Sequence, residues 1–355
     1  MNKVAYLSIA CDADPDIDPP YRKVPSKENA EHIWQGITVG IYTLRQHLKE
    51  TPVVSKYGRL PVTWLLRSDR QIYELYGNAA FCFRRFENVW KSEHEHGSEI
   101  GWHPHLYRWD EYACQWTPYL AKDDDLEILA ECLNSLRQCT DIYAVRTGWD
   151  YHSNRLMGFF DREGLLVDAS AIPGSIHSGT WFHNWSGTAR PPYFPSKFDY
   201  RRPAESHEHA LRILEMPVLV RSLSLPFHLI CFCYHNLRAI RGFNVNFTDW
   251  ESARWQGVFI SRRCRPFYEA VHQTLAMSSE KEGIFLTTYF HANELLSLRG
   301  VQRFIQNLEN LSCLTERIGY TLVPTTLSVA ASLVKNRGLT SICHSNSTQS
   351  SEDLL

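Results

Sequence analysis

The chain has 355 residues, of which 44% are apolar and 13% are aromatic. It contains 37 Lys and Arg residues and 39 Asp and Glu residues. The formal net charge of −2 excludes an overall basic surface of the kind that binds nucleic acid or an anionic membrane. A chain of this length can bury a large core, and its length fits either about two domains or one enlarged α/β barrel.

No apolar run reaches the 18 or so residues needed to cross a bilayer, so we expect no transmembrane segment. The first residues, MNKVAYLSIACDADPD, hold a short apolar run that ends in acids, which is typical of a first strand and not of a signal peptide. The ten cysteines are scattered and form no CxxC pair, so we expect reduced thiols in a cytoplasmic protein.

Apolar patterns predict strands and helices in alternation along the chain. Short apolar runs predict strands over 4–10, 60–66, 99–102, 143–145, 165–167, 214–220, 284–290 and 320–323. Helical spacing of apolar residues predicts helices over 28–50, 123–136, 154–162 and 294–311, the first of them weakened by Gly36 and Gly40. This alternation is typical of an α/β protein with a parallel sheet or barrel.

Two segments interrupt the alternation. Residues 176–210 are rich in Pro, Arg and aromatic residues and are predicted to be a long surface loop, and 222–265 form a second irregular, aromatic stretch. Long loops on an α/β scaffold often line the functional site. We therefore expect one barrel domain over 1–338 with loop insertions at 176–210 and 222–265, followed by a polar, disordered tail over 339–355.

The first group of candidate functional residues is the acidic segment CDADPDIDPP, with Asp12, Asp14, Asp16 and Asp18, after the first strand. Alternating acids repel one another unless a cation lies among them, although a solvated turn would also use Asp and Pro. An EF-hand loop is excluded, because the mid-loop Gly and the closing Glu are missing. In a parallel barrel, catalytic groups lie at the carboxyl ends of strands, which favours a functional role here.

The second group is the histidine pair of GSEIGWHPHLY, His103 and His105. Residues two apart on an extended segment point to the same side, so both imidazoles can face one metal ion. A carboxylate from another strand would complete a three-ligand site. The alternative is a pair of hydrogen-bonded or surface histidines.

Two further polar residues follow predicted strands. Arg146, in AVRTGW, can pair with an aspartate and keep it ionised, or form a purely structural salt bridge. His291, in TTYFHANEL, belongs to a residue type that can protonate a leaving amine near neutral pH, or it can simply begin a helix. Because the acids, the histidine pair, Arg146 and His291 all follow strands of one predicted sheet, we expect them to meet at one edge.

In this order, CDADPD, GSEIGWHPH, AVRTGWD and LTTYFHANEL resemble the motifs of the polysaccharide deacetylase superfamily, the NodB-like carbohydrate esterases. GLLVDASAIPG is similar to another segment of that family, and RPPYFPSKFDYRRP followed by ILEMPV is similar to its WalW-like branch, associated with cell-surface polysaccharide loci. The resemblance runs from about residue 4 to 323. It implies a distorted (β/α) barrel that hydrolyses an N-acyl group, expected to be N-acetyl, from an amino sugar of a polysaccharide or glycan precursor.

The resemblance also implies roles for individual residues. Asp12 would be the general base, Asp14, His103 and His105 would hold one divalent metal ion, expected to be zinc, Arg146 would orient the base, and His291 would be the general acid. The roles of Asp12 and Asp14 are assigned by their order along the chain, and the exchanged assignment stays open. The sequence departs from the family pattern in three places: Ala13 separates the acids, the histidines are two apart, and Thr-Gly follows Arg146.

Aromatic residues near these motifs are candidate substrate contacts: Trp102, Tyr107, Trp149, Trp185 and Tyr193. Core packing is the alternative for each of them. Two other functions also fit the residues, namely a small-molecule amidohydrolase or deformylase with the same site, and a carbohydrate-binding barrel without activity. A glycosidase with two acids would leave the histidine pair and His291 unexplained.

Overall fold

A computed structural model describes residues 3–16, 32–112, 115–118, 123–178, 182–240, 254–278 and 283–336. The predicted tail over 339–355 and Asp18 lie outside these ranges. The strands are β1 (Lys3–Ala13), β2 (Thr63–Arg67), β3 (Glu99–His103), β4 (Tyr107–Asp110), β5 (Gln115–Pro118), β6 (Ala144–Val145), β7 (Val167–Asp168), β8 (Ile176–Ser178), β9 (Phe182–Asn184), β10 (Leu214–Glu215), β11 (Val220–Ser222), β12 (Trp255–Gly257), β13 (Gly283–His291) and β14 (Tyr320–Thr325).

The α-helices connect these strands and cover the sheet. They are α1 (Ile41–Lys49), α2 (Pro52–Tyr57), α3 (Arg70–Tyr76), α4 (Phe81–Arg85), α5 (Glu87–Glu95), α6 (Asp123–Arg137), α7 (Asn154–Arg162), α8 (Leu225–Ile240), α9 (Cys264–Met277), α10 (Leu298–Arg317) and α11 (Leu327–Asn336).

Eight strands form one parallel sheet in the order β10-β7-β6-β3-β2-β1-β13, with β14 beside the first half of β1. β1 is central and almost entirely buried, as expected for a strand covered on both faces of a parallel sheet. Isolated parallel bridges, Val218 with Thr287 and Phe259 with Tyr289, link the chain beyond β10 to β13. The sheet therefore curls into a distorted (β/α) barrel, which confirms the predicted fold class.

The first strand is longer than predicted, and this changes the position of the acids. β1 continues to Ala13, so Asp12 lies inside the strand and pairs in register with His291 of β13. Asp14 lies just beyond the strand. Asp16 accepts a hydrogen bond from the backbone N–H of Gly36 at 2.9 Å, so this acid contacts the next helical segment.

That next segment is not the single helix predicted over 28–50. The described part is a 3₁₀ turn (His32–Trp34), a π-helical turn (Gly36–Gly40) and then α1. A Cβ on Gly36 would lie 2.5 Å from the Ala292 carbonyl carbon. The glycine thus allows this turn to pack directly on the backbone that follows His291.

The two segments expected to be loops contain regular structure. Residues 176–210 include the β8-β9 hairpin and the buried side chains of Trp185 and Tyr193, so much of this segment packs on the barrel. Residues 222–265 include the 16-residue helix α8 and strand β12. The sequence did not indicate α8, because a segment that is apolar all round has no helical period.

A buried ion pair under β2 ties several elements together. Arg45 of α1 forms a salt bridge with Glu93 of α5, and its Nη1 also donates to the Leu60 carbonyl at 2.8 Å. The indole N–H of Trp64 donates to Glu93 Oε2 at 2.7 Å. A buried carboxylate with an arginine and an indole as donors is fully satisfied, whereas either partner alone would be costly.

Candidate active site

The carboxyl ends of β1, β3, β6 and β13 meet around one cavity of about 360 Å³. Its lining contains the six polar residues that were predicted to be catalytic or to bind a metal, which are Asp12, Asp14, His103, His105, Arg146 and His291. The lining residues are Asp12, Asp14, Pro15, Arg67, His103, His105, Arg146, Thr147, Trp149, Asp150, Phe259, Arg262, Tyr289, His291, Asn293 and Glu294.

Asp14, His103 and His105 form a group that could hold a metal ion, with one donor atom from each residue and all three within 4.8 Å of one another. The Nε2 atoms of the two histidines are 3.1 Å apart, and each is 3.5 Å from an Asp14 carboxylate oxygen. His103 Nδ1 lies 2.7 Å from the Arg146 carbonyl oxygen, which can only accept a hydrogen bond. In the neutral ring, Nδ1 therefore carries the hydrogen and the Nε2 lone pair faces Asp14. Two imidazole nitrogens and a carboxylate are a donor set that fits zinc.

The electrostatics of this group fit a cation. Burial would raise the pKa of Asp14, but His105 and His103 outweigh it and hold that pKa well below its usual range. Burial, reinforced by Arg67, lowers the pKa of His105 well below its usual value. Burial also opposes charge on His103, but Asp12 and Asp14 raise its pKa. Asp14 thus stays ionised and His105 stays neutral, the forms in which both groups bind metals.

Arg67 and Asp69, which sequence reasoning missed, support the three potential ligands. The Arg67 guanidinium is buried, donates to Asp14 Oδ1 at 3.0 Å, and forms a salt bridge with Asp69. Asp69 in turn accepts from the backbone N–H of His105 at 3.0 Å. The signal was available, since LLRSD places both charges at the carboxyl end of β2, where the other site residues of the sheet also lie.

Asp12 and Arg146 form a second, deeper pair. Arg146 Nε donates to Asp12 Oδ2 at 3.1 Å, and its Nη2 donates to Asp150 at 2.5 Å. The guanidinium carbon also lies 3.8 Å from the centre of the Tyr289 ring. Although burial opposes its charge, Asp150 and Asp12 raise the pKa of Arg146. Asp12 Oδ1 is buried and has no hydrogen-bond partner within the described ranges, so it is an unused proton acceptor at the cavity.

His291 also lies near the Asp12 carboxylate. Its Nε2 is 3.8 Å from Asp12 Oδ2, and its ring stacks on Phe259 with 5.6 Å between ring centres. The backbone N–H of His291 donates to Glu294 Oε2 at 3.2 Å, and Arg262 binds the other oxygen of Glu294 at 2.7 Å. The imidazole is partly open to the cavity, so a bound molecule can reach it.

The turn after β6 has a strained backbone. Trp149 and Asp150 have φ values of 59° and 55°, a region that non-glycine residues rarely adopt and that costs about 1–3 kcal/mol per residue. The carbonyl groups of both residues are held: His183 Nδ1 is 2.9 Å from that of Trp149, and Trp185 Nε1 donates to that of Asp150 at 2.9 Å. This turn directs Asp150 toward Arg146 and the Trp149 ring toward His105.

The aromatic residues predicted to contact substrate fall into two groups. Trp149 lines the cavity, and Tyr107 stacks on His105 with 5.4 Å between ring centres. Trp102, Trp185 and Tyr193 do not line it, and all three are fully buried. We correct the prediction for these three residues: they pack in the core, because a large ring gains more from burial than from exposure.

A cluster of buried polar residues lies beneath Arg146, whose Nη1 donates to the Ala169 carbonyl at 2.5 Å. His152 Nε2 is 2.6 Å from Asp168 Oδ2, and Glu215 pairs in register with Asp168 on the neighbouring strand. Burial and the adjacent Asp168 carboxylate raise the pKa of Glu215 well above its usual value. Two carboxyl groups so placed cannot both ionise readily, which favours the neutral form of Glu215.

Solved structures share this fold. The chain is similar to a protein from Parabacteroides distasonis described as a glycoside hydrolase/deacetylase, with 11% identity, a TM-score of 0.53, and coverage of 94% of this chain and 72% of the other. For a protein from Mycobacterium smegmatis described as a polysaccharide deacetylase, the identity is 12%, the TM-score 0.52 and the coverage 96% and 93%. For the allantoinase PuuE the identity is 12%, the TM-score 0.52 and the coverage 94% and 92%.

At these identities the likeness concerns the fold, which is the (β/α) barrel of the polysaccharide deacetylases, as the sequence motifs predicted. No protein-family model matches the chain, and no curated protein sequence matches it. The assignment to the WalW-like branch stays a prediction.

Proposed function

We propose that this protein is a metal-dependent hydrolase that removes an N-acyl group, most simply N-acetyl, from an amino sugar in a polysaccharide or glycan precursor. The observation that carries the proposal is the juxtaposition at one cavity of the Asp14, His103 and His105 donors with the Asp12–Arg146 pair and His291. The fold shared with deacetylases supports it.

In this proposal Asp14, His103 and His105 hold the divalent ion. When bound, such an ion polarises an amide carbonyl and lowers the pKa of water, which is chemistry that zinc supplies at three-ligand sites. The hydrogen bond from His103 Nδ1 to the Arg146 carbonyl fixes the ring so that Nε2 serves as the ligand atom. Asp69 holds the His105 backbone, and Arg67 orients the Asp14 carboxylate.

Asp12 acts as general base in this proposal. Its Oδ2 is fixed by Arg146 Nε, which leaves the buried Oδ1 to accept the proton of the attacking water. The Arg146 guanidinium pairs with this carboxylate, and Asp150 and Tyr289 hold that guanidinium in place. The closeness of Asp14 to both histidines favours Asp12 as base and Asp14 as ligand over the exchanged assignment.

His291 acts as general acid. An amide is cleaved readily only if its nitrogen is protonated on departure, because an unprotonated amine is a very poor leaving group. His291 is partly open to the cavity, stacks on Phe259 and lies 3.8 Å from Asp12. Its imidazolium form would donate the proton from Nε2 to the departing nitrogen.

A second candidate is hydrolysis of an amide in a small molecule rather than in a glycan. It draws on the likeness to an allantoinase, which has the same TM-score and identity as the Mycobacterium smegmatis protein. A cavity of about 360 Å³ is near the lower end of the usual range for small-ligand sites. Products separate the candidates: acetate from N-acetylated oligosaccharides supports the first, and formate or ammonia from small amides supports the second.

The test combines metal content with activity. We expect the purified protein to carry about one divalent ion per chain, and we expect His103→Ala and Asp14→Ala to lose both that ion and acetate release. His207→Ala and Asp141→Ala remove the same side chains from exposed positions outside the cavity and serve as matched controls. If both site variants kept their metal and full activity, the proposal would be wrong. Glycan binding without turnover or metal would instead support a carbohydrate-binding barrel without activity.

A further inference from the structure

Helix α8 (Leu225–Ile240) has an apolar surface that the rest of the described chain leaves uncovered. Five of its large apolar side chains are between 51% and 70% exposed, and they are Leu225, Phe227, Leu229, Ile230 and Leu237. Of the α8 side chains that the structure describes, that of His228 is the buried one. A helix that is apolar nearly all round is normally covered by protein or lipid, and a contiguous exposed apolar patch marks an interaction site.

The charge of this region differs from that of the whole chain. No acidic residue lies between Glu215 and Asp249, and the same interval contains Arg221, Arg238 and Arg241. The overall net charge of −2 conceals this local imbalance. Although Arg221 is paired with Glu269 at 2.7 Å, the excess of arginines over acids in this stretch of sequence favours a negatively charged partner for the apolar helix.

Two more arginines lie beside the start of α8. The guanidinium carbons of Arg190 and Arg254 lie 4.3 Å and 5.3 Å from the centre of the Trp255 ring. The Arg254 carbonyl accepts from the backbone N–H of Leu223, two residues before the helix. Within the ranges that the structure describes, neither guanidinium has a carboxylate partner. The Trp255 ring is half-buried against the core, so the two arginines add positive charge beside the apolar helix.

We propose that α8, together with Arg190, Trp255 and Arg254, forms a docking surface for an anionic lipid bilayer. The apolar side chains enter the boundary between headgroups and acyl chains, and the arginines bind headgroup phosphates. The helix lies on the bilayer and does not cross it, because no described helix is long and apolar enough to span a membrane.

A second copy of the chain fits this surface less well. In a symmetric dimer the same patch contacts itself, so Arg190 and Arg254 of one copy would lie near those of the other. The bilayer also has a consequence for the cavity. The chain runs from Arg254 to Phe259, a cavity residue, in a distance of at most about 18 Å, so the bilayer would lie near the cavity.

The test is co-sedimentation of the full chain with vesicles of phosphatidylcholine alone or mixed in equal parts with phosphatidylglycerol. We expect binding to the mixed vesicles that weakens as salt is raised, and weaker binding to phosphatidylcholine. Phe227→Glu/Ile230→Glu should lower the partition coefficient at least about tenfold. Arg254→Gln should lower it about fivefold for mixed vesicles only. Val329→Glu, which places one glutamate at a half-exposed apolar position of α11, should leave it unchanged.

Several outcomes would overturn the proposal. One is that the wild-type protein does not bind the mixed vesicles; another is that the double variant binds them as well as the wild type. A third outcome is that the wild type does not bind vesicles but forms a dimer in sedimentation equilibrium, and that the double variant is a monomer. In that case the surface joins two copies of the chain. Thermal melting checks that the variants fold. If the double variant does not fold, the binding of the Arg254→Gln variant to mixed vesicles tests the proposal instead. None of these measurements uses enzymatic activity, so the proposal stands or falls separately from the proposed function.

Discussion

Gly148 sets the position of a potential metal ligand, and its replacement by alanine is a sensitive test of the site. A Cβ at this position would lie 2.1 Å from His105 Cδ2 and 2.3 Å from both Cγ and Nε2. Real Cβ contacts are not shorter than about 3 Å, so the ring must move by about 1 Å. A displacement of about 1 Å in a reacting constellation can lower the rate about 100-fold, and a disturbed ligand lowers metal affinity about 10- to 100-fold.

If the proposed function holds, Gly148→Ala should lose affinity for added zinc, measured by competition with a chromophoric chelator, and should show a parallel loss of kcat for acetate release. Gly158→Ala is the matched control, because its Cβ would meet only Arg162 Nη1, at 3.6 Å, inside helix α7. That variant should keep its metal and its activity, and should be more stable by up to about 1 kcal/mol. Unchanged zinc affinity in a folded Gly148→Ala variant would refute the reasoning.

Three buried acidic residues, Asp12, Glu93 and Glu215, provide further tests. Asp12→Asn should lower kcat by about 10²- to 10⁴-fold at unchanged metal content; loss of the metal would instead make Asp12 a ligand. Glu93→Ala should lower the free energy of unfolding, measured with denaturant, by about 3–5 kcal/mol, because Arg45 stays buried without its partner; a smaller loss would indicate solvent access. Burial and the Asp168 carboxylate raise the pKa of Glu215, so wild-type stability should fall as the pH rises from about 4 through that raised pKa. Glu215→Gln should remove that fall, so that the difference in unfolding free energy grows with pH; a constant difference would contradict this.

The sequence by itself was enough to predict the barrel and most of the residues that form the site. Short apolar runs mark buried parallel strands, and the carboxyl ends of parallel strands meet at one edge. Asp14, His103, Arg146 and His291 stand at such ends, so their order along the chain was enough to predict that they lie together. Local apolar patterns and the regular geometry of a parallel sheet are sufficient to place these residues together.

Only the tertiary structure decided how these residues are arranged. The extension of β1, the register of Asp12 with His291 and the left-handed turn at Trp149 depend on packing between distant segments. The same holds for aromatic residues: Trp149 lines the cavity and Trp102 is in the core, although both stand beside a site motif. Helix α8 was not predicted, because an apolar sequence without a helical or strand period is compatible with a strand, a loop or a helix. Local sequence fixes the conformations a segment can adopt, whereas its surroundings depend on chain segments far away in the sequence.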